Sequence, residues 1–246
     1  MVKKQLAVLA ASLFIGVSAY AGAGHWTYEG DEGPEHWGEL SPAFEACLKG
    51  KSQSPIDIRS EIQAANAVPI SFNYSTDASE ILNNGHTVQA NFTAGSSITV
   101  DGTEFQLKQF HFHTPSENLI HGETYPMEMH LVHADKDGNL AVVGVMIKEG
   151  KENAALAKLW AQMPHADEKS ALNAKVNPSS LLPESKGYYR FDGSLTTPPC
   201  SEGVRWMVLK DPITASKEQV EAFAKVVHEH NARPVQPVGA RIIVAD

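Results

Sequence analysis

The chain has 246 residues, of which 42% are hydrophobic and 20% are charged, and this balance excludes an intrinsically disordered protein. The formal net charge is −9 and the sequence has no cluster of Lys and Arg, which argues against a nucleic-acid partner, because binding phosphates requires clustered positive charge. The 18 Gly and 14 Pro favour a turn-rich β fold, and the 11 His direct attention to metal binding.

Residues 1–21 have the pattern of a secretory signal peptide. Two lysines precede an apolar run over residues 6–17, and the sequence Ala-Tyr-Ala, which ends at Ala21, supplies the small residues of a cleavage site. The alternative is an uncleaved anchor helix, but the run is too short to span a bilayer comfortably. We therefore expect a mature domain over residues 22–246 that has no membrane span and is periplasmic or secreted.

The chain contains two cysteines, Cys47 and Cys200, and both lie in the expected mature domain. Because an oxidising compartment favours disulfides, we expect one bond between them. Closing a loop of about 150 residues would contribute roughly 5 kcal/mol on the chain-entropy account of disulfide stability. The alternative is two unpaired buried thiols.

Hydrophobic patterning predicts a β-rich domain with a few peripheral helices. Strands are expected, in chain order, over residues 86–92, 97–100, 104–113, 125–133, 140–147, 203–210 and 241–244. Asn-Gly and Asp-Gly turn signals separate several of these strands. Helices are expected over residues 152–163, which Pro164 follows, and over 216–230, which opens with a Ser-x-x-Gln capping box.

Histidines in two of the predicted strands form the most informative pattern in the sequence. Because side chains alternate along a strand, His111 and His113 point to one face, while the phenylalanines beside them point to the other. A neighbouring strand can bring His130 next to this pair. Three imidazoles without a fourth protein ligand are the composition of a catalytic zinc site with an open position.

Two other histidines compete with His130 for the third ligand position. His121 lies in an irregular stretch of the sequence, and His133 points to the opposite face from Glu128. We prefer His130, because it shares a strand face with Glu128. The alternative for the His-x-His pair is two exposed or structurally satisfied histidines on a sheet.

At these residues the sequence resembles the α-class carbonic anhydrases, and the resemblance covers essentially the whole mature chain. It rests on Glu117 and on the motifs GPEHW (33–37), QSPIDI (53–58), NGH (84–86), QFHFH (109–113), EMHLVH (128–133) and SLTTPPC (194–200). The resemblance implies a mainly β (α+β) fold, in which one domain forms around a large, twisted, mainly antiparallel ten-stranded sheet with peripheral helices. The family also pairs cysteines at these two positions in several secreted members.

The resemblance implies zinc-dependent reversible hydration of CO2 to bicarbonate and a proton. Zn²⁺ would be held by His111, His113 and His130. Gln109 and Glu128 match the positions that hold the second nitrogens of the ligand imidazoles. The partner is therefore a small-molecule substrate, and a homodimer is a further expectation, since bacterial relatives dimerise.

The resemblance also assigns the catalytic roles to Thr196, Glu117 and His86. Thr196 would accept a hydrogen bond from the attacking hydroxide after giving its own proton to Glu117, and His86 would carry the released proton to solvent. Thr197 would help to position bicarbonate. An apolar wall for CO2 would be formed by Val132, Val142, Leu195 and Trp206.

Two other functions are alternatives to CO2 hydration. A catalytically inactive carbonic-anhydrase-like binding module would have lost ligand histidines, and none is lost here. A different secreted zinc hydrolase, such as a metallopeptidase, would carry a His-Glu-x-x-His motif, which the sequence lacks. The sequence TPSE after His113 is a form that bacterial and plant-like members carry, which favours a bacterial setting.

Overall fold

The structure, a computed structural model, describes residues 24–65, 68–228 and 230–246. The predicted signal peptide and its cleavage after Ala21 lie outside these ranges. Among the described residues, none of the helices has the length and apolar character needed to cross a membrane.

Strands make up most of the regular structure. In chain order they are β1 Asp57–Ile58, β2 Glu61–Gln63, β3 Ser71–Tyr74, β4 Glu80–Asn83, β5 Val88–Asn91, β6 Ser96–Val100, β7 Thr103–His113, β8 Leu119–Ile120, β9 Met127–Ala134, β10 Leu140–Glu149, β11 Glu168–Ala171, β12 Tyr188–Ser194, β13 Glu202–Leu209, β14 Ile213–Ala215 and β15 Ile243–Ala245. The α-helices of the described residues are α1 Trp37–Leu40, α2 Glu45–Lys49, α3 Ala154–Trp160 and α4 Lys217–Val226. Short 3-10 helices cover Gly30–Glu32, Pro42–Phe44 and Pro178–Leu181.

One large mixed sheet organises the described part of the chain and contains 13 of its strands. The main path runs β11-β4-β5-β7-β9-β10-β13-β12-β15-β2, and β3, β6 and β14 join it from the side. Most pairs are antiparallel, but β10 pairs in parallel with β13 and β14, and β15 pairs in parallel with β2. The expected ten-stranded, mainly antiparallel sheet is therefore confirmed for the main path, while the complete sheet is larger and mixed.

The central strands of the sheet bury both of their faces. On one side, residues of β7, β9 and β10 pack with α3 and α4 in the larger hydrophobic cluster, which includes Phe112, Leu131 and Val143. On the other side, alternate residues of the same sheet join a smaller cluster that includes Val142 and Trp206. Because side chains alternate along β10, neighbouring residues of this strand enter different clusters.

The two longer helices begin where the sequence predicts but are shorter than expected. The Asn153 side chain caps α3 by accepting from the first backbone N–H groups of that helix, and Ser216 and Gln219 form the predicted capping box of α4. The α4 helix ends at Val226, since the backbone enters the left-handed region at His228 with φ 58°. Gln219 also joins the two helix starts by accepting from Asn153 N and donating to Asn153 O, both at 2.8 Å.

Candidate metal centre and active-site cleft

Three histidines from two adjacent strands converge on one point of the sheet. β7 and β9 are antiparallel neighbours, and their register places His111 directly opposite His130, with His113 further along β7. One nitrogen of each imidazole lies within 4.8 Å of the others. In the described ranges this is the one group of His, Cys, Asp or Glu side chains with that geometry. These residues could hold a metal ion.

The two competing histidines lie elsewhere. The His121 side chain is 53% exposed in the turn after β8 and faces Glu61 at 3.9 Å. His133 is buried on the opposite face of β9, where its Nδ1 donates to Ala141 O at 3.3 Å and its Nε2 accepts from the Tyr74 hydroxyl at 2.9 Å. Neither imidazole reaches the converging group, as the alternation along β9 predicts for His133.

Hydrogen bonds fix the orientation of the two imidazoles on β7. His111 Nδ1 donates to Gln109 Oε1 at 2.8 Å, and His113 Nδ1 donates to the backbone carbonyl of Asn231 at 2.8 Å. In each ring Nδ1 therefore carries the proton, and the lone pair of the unprotonated Nε2 points towards the centre of the group. His113 Nε2 is buried and has no hydrogen-bond partner among the described residues, which fits a nitrogen that can bind a metal ion.

Glu128 orients His130, the histidine on β9. Its Oε1 lies 3.0 Å from His130 Nε2, at an angle outside strict hydrogen-bond geometry. The carboxylate is held from the other side by the backbone N–H groups of Glu117 and Asn118 at 2.9 and 2.8 Å, and by the Asn118 side chain at 2.8 Å. This leaves His130 Nδ1 as the nitrogen that faces the centre.

Burial keeps all three imidazoles in the form that binds metal. It lowers the pKa of His111 and of His130 well below the ordinary value, and it lowers the pKa of His113 as well. The neighbouring imidazoles add to the effect at His111 and His130, because two cationic rings repel each other. Neutral imidazoles are the ligand form of histidine, so the site is prepared for a cation near neutral pH.

Glu117 lies next to two of the histidines, and Thr196 acts on Glu117. Glu117 is buried, its Oε1 accepts from Arg233 N at 2.9 Å, and its Oε2 lies 3.4 Å from His113 Nε2. Burial raises the pKa of Glu117 to about 8, although the Thr196 hydroxyl and the Arg233 N–H act in the opposite direction. The hydroxyl influences the carboxyl without reaching strict hydrogen-bond geometry at Oε2. A cation at the three-histidine centre would favour the ionised carboxylate.

The residues predicted for the apolar wall share one side of the sheet with the histidines. In the strand register, Val142 lies opposite Val132 on one side and beside Trp206 on the other. The Trp206 ring centroid is 4.8 Å from that of His130, and Leu195 packs against the same cluster. An apolar surface therefore adjoins the metal centre.

The disulfide predicted between Cys47 and Cys200 is confirmed, and it closes the loop that carries Thr196 and Thr197. Cys200 N donates to Thr197 O at 2.9 Å, and Leu195 N donates to Ser201 O at 3.0 Å. Backbone hydrogen bonds therefore hold the polypeptide around the two threonines, and the disulfide links it covalently to α2.

His86 lies between two cavities. The inner cavity of about 120 Å³ is lined by His86 together with Gln109, His111, His113 and Thr197. The outer cavity of about 560 Å³ is lined by His86 and by polar groups that include three further histidines, His25, His228 and His230. The His86 ring stacks on Trp26 with centroids 3.7 Å apart and planes 9° apart.

Sequence reasoning did not identify two residues that shape this site. Asn231 supplies the carbonyl that holds His113, and Arg233 supplies the N–H that holds Glu117. Both act through the backbone of an irregular segment, so neither their spacing nor their side-chain type gave a signal.

Comparisons with known proteins agree with this geometry. A family model described as eukaryotic-type carbonic anhydrase matches residues 32–246. The carbonic anhydrase of Pectobacterium atrosepticum is 48% identical over 221 residues, which are 89% of this chain and 90% of that protein, and the carbonic anhydrase of Klebsiella pneumoniae is 48% identical over 225 residues, with 90% and 91% covered. An α-carbonic anhydrase from Thermovibrio ammonificans, solved with the inhibitor sulfanilamide, has 52% sequence identity and a TM-score of 0.88, with 91% of this chain and 100% of that chain covered.

Proposed function

The chain belongs to the eukaryotic-type carbonic anhydrase family and is an enzyme of reversible CO2 hydration, and we propose that it works with a zinc ion held by His111, His113 and His130. The observation that carries the proposal is the convergence of three neutral, oriented imidazoles with no fourth protein ligand among the described residues. When bound, zinc supplies a Lewis acid that makes a hydroxide nucleophile available near neutral pH, a chemistry for which carbonic anhydrase is itself the standard example.

Thr196 and Glu117 orient that nucleophile in the proposed mechanism. The Glu117 carboxylate can only accept, so the Thr196 hydroxyl directs its proton towards Glu117 and turns its oxygen lone pairs into the cleft. The oxygen then accepts a hydrogen bond from hydroxide and discriminates against a ligand that has no proton to donate. Support comes from the burial of both residues and from the influence of the hydroxyl on the Glu117 carboxyl.

Val132, Val142, Leu195 and Trp206 give the apolar CO2 molecule a surface beside the nucleophile. An apolar substrate gains nothing from ordered hydrogen-bond donors, so a dry wall next to the metal centre holds it without competing with the reaction. Thr197 lines the inner cavity with His111 and His113, where it can contact bicarbonate.

His86 is proposed to carry the proton out of the cleft. It lines both cavities, and partial burial, together with the charge that His25 can carry, lowers its pKa below the ordinary value. A neutral imidazole accepts a proton from the inner side and releases it to the outer side with a small energy change near neutral pH.

Export is proposed from residues 1–21 and the disulfide. A signal peptide would be removed to give a mature enzyme over residues 22–246 in the periplasm or outside the cell. The Cys47–Cys200 bond fits an oxidising compartment.

Metal analysis tests the proposed centre. The purified His130→Ala protein should contain far less zinc than the parent, because two imidazoles hold zinc more weakly than three. The matched control is His121→Ala, which removes an exposed histidine and should leave one zinc per chain. Full zinc content in His130→Ala, or loss in His121→Ala, would mean that the ligand set is different.

A further inference from the structure

Arg233 is an almost fully buried cation, with 2% of its surface exposed. Its guanidinium donates from Nη1 to Gln53 Oε1 at 2.9 Å and to Ser54 O at 2.8 Å, and from Nη2 to Cys47 O at 3.1 Å. The guanidinium carbon also lies 5.7 Å from the ring centroid of Trp37. One side chain thus joins the C-terminal part of the chain to the segment that contains the first cysteine.

The backbone of the same residue reaches the candidate active site. Arg233 N donates to Glu117 Oε1, and two residues earlier Asn231 O accepts from His113 while the Asn231 side chain accepts from Thr114 N at 2.8 Å. Residues 230–238 form neither helix nor strand. No regular ladder of hydrogen bonds therefore sets the position of these backbone groups. Isolated backbone hydrogen bonds, from Asn231 N to Thr114 O at 3.0 Å and from Gln236 N to Pro55 O at 2.8 Å, hold the segment together with side-chain anchors.

Arg233 is also connected to the loop that carries Thr196. Gln53, which accepts from the guanidinium, donates from Nε2 to Cys200 O at 3.0 Å. The two hydroxide-orienting residues therefore have one common support: the Glu117 carboxylate through the Arg233 N–H, and the loop of Thr196 through Gln53 and the second cysteine.

We infer that the Arg233 guanidinium is a positioning residue that holds the Glu117–Thr196 pair in its productive arrangement. The inference rests on the proposed orienting role of that pair. Stability alone is a poor reason for this side chain, because a buried charge loses its hydration, and apolar replacements of buried ion networks are often equally stable. The Arg233 Nε has no hydrogen-bond partner among the described residues, which adds to that cost.

Amide hydrogen exchange in the metal-free protein tests the anchor without reference to activity. Arg233→Met removes the guanidinium but keeps the backbone N–H, so exchange at position 233 should become at least about ten-fold faster as the hydrogen bond to Glu117 opens. The matched control is Arg241→Met. Arg241 donates to the backbone carbonyls of Pro237, Val238 and Asp192 and makes no hydrogen bond to the site, so exchange at position 233 should not change.

A double-mutant cycle with Thr196→Ala tests the positioning role. In the parent, Arg233→Met should lower kcat/KM for CO2 by about ten-fold at unchanged zinc content, whereas in the Thr196→Ala background the loss should be less than about two-fold, because the pair is already broken. Arg241→Met should change kcat/KM in neither background.

The outcomes separate the two proposals. Unchanged exchange at position 233, or equal losses of kcat/KM in both backgrounds, would overturn the role of Arg233. Full activity of Thr196→Ala alone would instead overturn the orienting role proposed for Thr196, while the exchange measurement would still judge the anchor. If Arg233→Met does not fold, Arg233→Lys keeps the charge but not the planar fork, and the same cycle applies: loss only in the presence of Thr196 supports the inference, and equal loss contradicts it.

Discussion

At the scale of single residues, the proposed mechanism depends on the direction in which the Thr196 hydroxyl points its proton. It lies in a loop held by the Cys47–Cys200 bond, beside the buried Glu117 carboxyl, which in its ionised form can only accept a hydrogen bond from a hydroxyl. In the proposed mechanism this side chain stabilises the transition state through one oriented hydrogen bond, so its replacement should affect the rate and not metal binding.

Thr196→Ala should lower kcat/KM for CO2 by about 100-fold, the usual cost of one lost oriented hydrogen bond at a transition state. Zinc content should stay at the parental level, because Thr196 is not a ligand in the proposed site. The exposed Thr124→Ala serves as the control and should keep the parental kcat/KM. Parental efficiency in Thr196→Ala, measured by stopped-flow CO2 hydration, would show that another group orients the nucleophile.

His86 acts after the chemical step in the proposed mechanism, so its replacement should affect a different constant. His86→Ala should lower kcat by about ten-fold or more in dilute buffer and leave kcat/KM nearly unchanged, since hydration precedes the transfer of the proton. Concentrated imidazole buffer should restore much of the loss. His228→Ala is the control, because His228 lines the outer cavity but not the inner one. An unchanged kcat, or an equal fall of kcat/KM, would remove His86 from this role.

At the scale of elements, the two faces of β9 place histidines in two different environments. Glu128, His130 and Val132 face the metal centre, whereas His133 is buried on the other side among hydrophobic residues. Burial lowers the pKa of His133 to about 3, because the charged ring cannot be hydrated there. Two histidines three positions apart therefore have different chemistry, which follows from the alternation of the strand.

The shifted pKa of His133 predicts a dependence of stability on pH. The unfolded chain binds a proton at this residue near pH 6.5, and the folded chain does so only near pH 3. The stability that this residue contributes is therefore complete above about pH 6.5 and is lost as the pH falls, with a slope of at most about 1.4 kcal/mol per pH unit. Replacement by Gln should make the free energy of unfolding less dependent on pH in this range.

Urea unfolding at several pH values between 4 and 7 measures the difference between the parent and His133→Gln. His121→Gln, which removes an exposed histidine, serves as the control for the change of residue type. Equal pH slopes for the parent and His133→Gln would contradict the account of a neutral, buried imidazole.

The elements that could be predicted from sequence are those with a strong local pattern. β7 and β9 have alternating side chains that place His111, His113 and His130 on one face, so both the strands and the convergence of His111 and His130 follow from the pleat and an adjacent pairing. The parallel pairing of β10 with β13 could not be predicted, because the intervening chain forms α3, β11 and β12 before it returns. Long-range pairings of this kind leave no mark in either strand.

The site residues that could not be predicted from the sequence lie in an irregular segment. Asn231 and Arg233 reach His113 and Glu117 with a backbone carbonyl and a backbone N–H, which every non-proline residue possesses. Their importance depends on where the chain lies after α4, and hydrophobic periodicity does not specify that path. The motifs around Thr196 and His86, in contrast, carried a resemblance strong enough to assign roles before any geometry was known.

At the scale of the whole molecule, the sheet, the disulfide and the C-terminal segment support one cleft from three directions. β7, β9, β10 and β13 carry the three histidines and most of the apolar wall, and the Cys47–Cys200 bond closes the loop that follows β12. The backbone groups of Asn231 and Arg233 hold His113 and Glu117. The expected homodimer and the removal of residues 1–21 stay predictions, since they concern an assembly and a processing step.

Stopped-flow CO2 hydration with a pH indicator tests most directly that this chain is a zinc-dependent carbonic anhydrase. The zinc-loaded mature protein should release protons on mixing with CO2 far faster than the buffer blank, and the metal-free protein should regain this activity when zinc is added back. If the three histidines hold the catalytic zinc, a folded protein that contains zinc must hydrate CO2. A fully folded protein with one zinc per chain that hydrates CO2 no faster than the blank would contradict it.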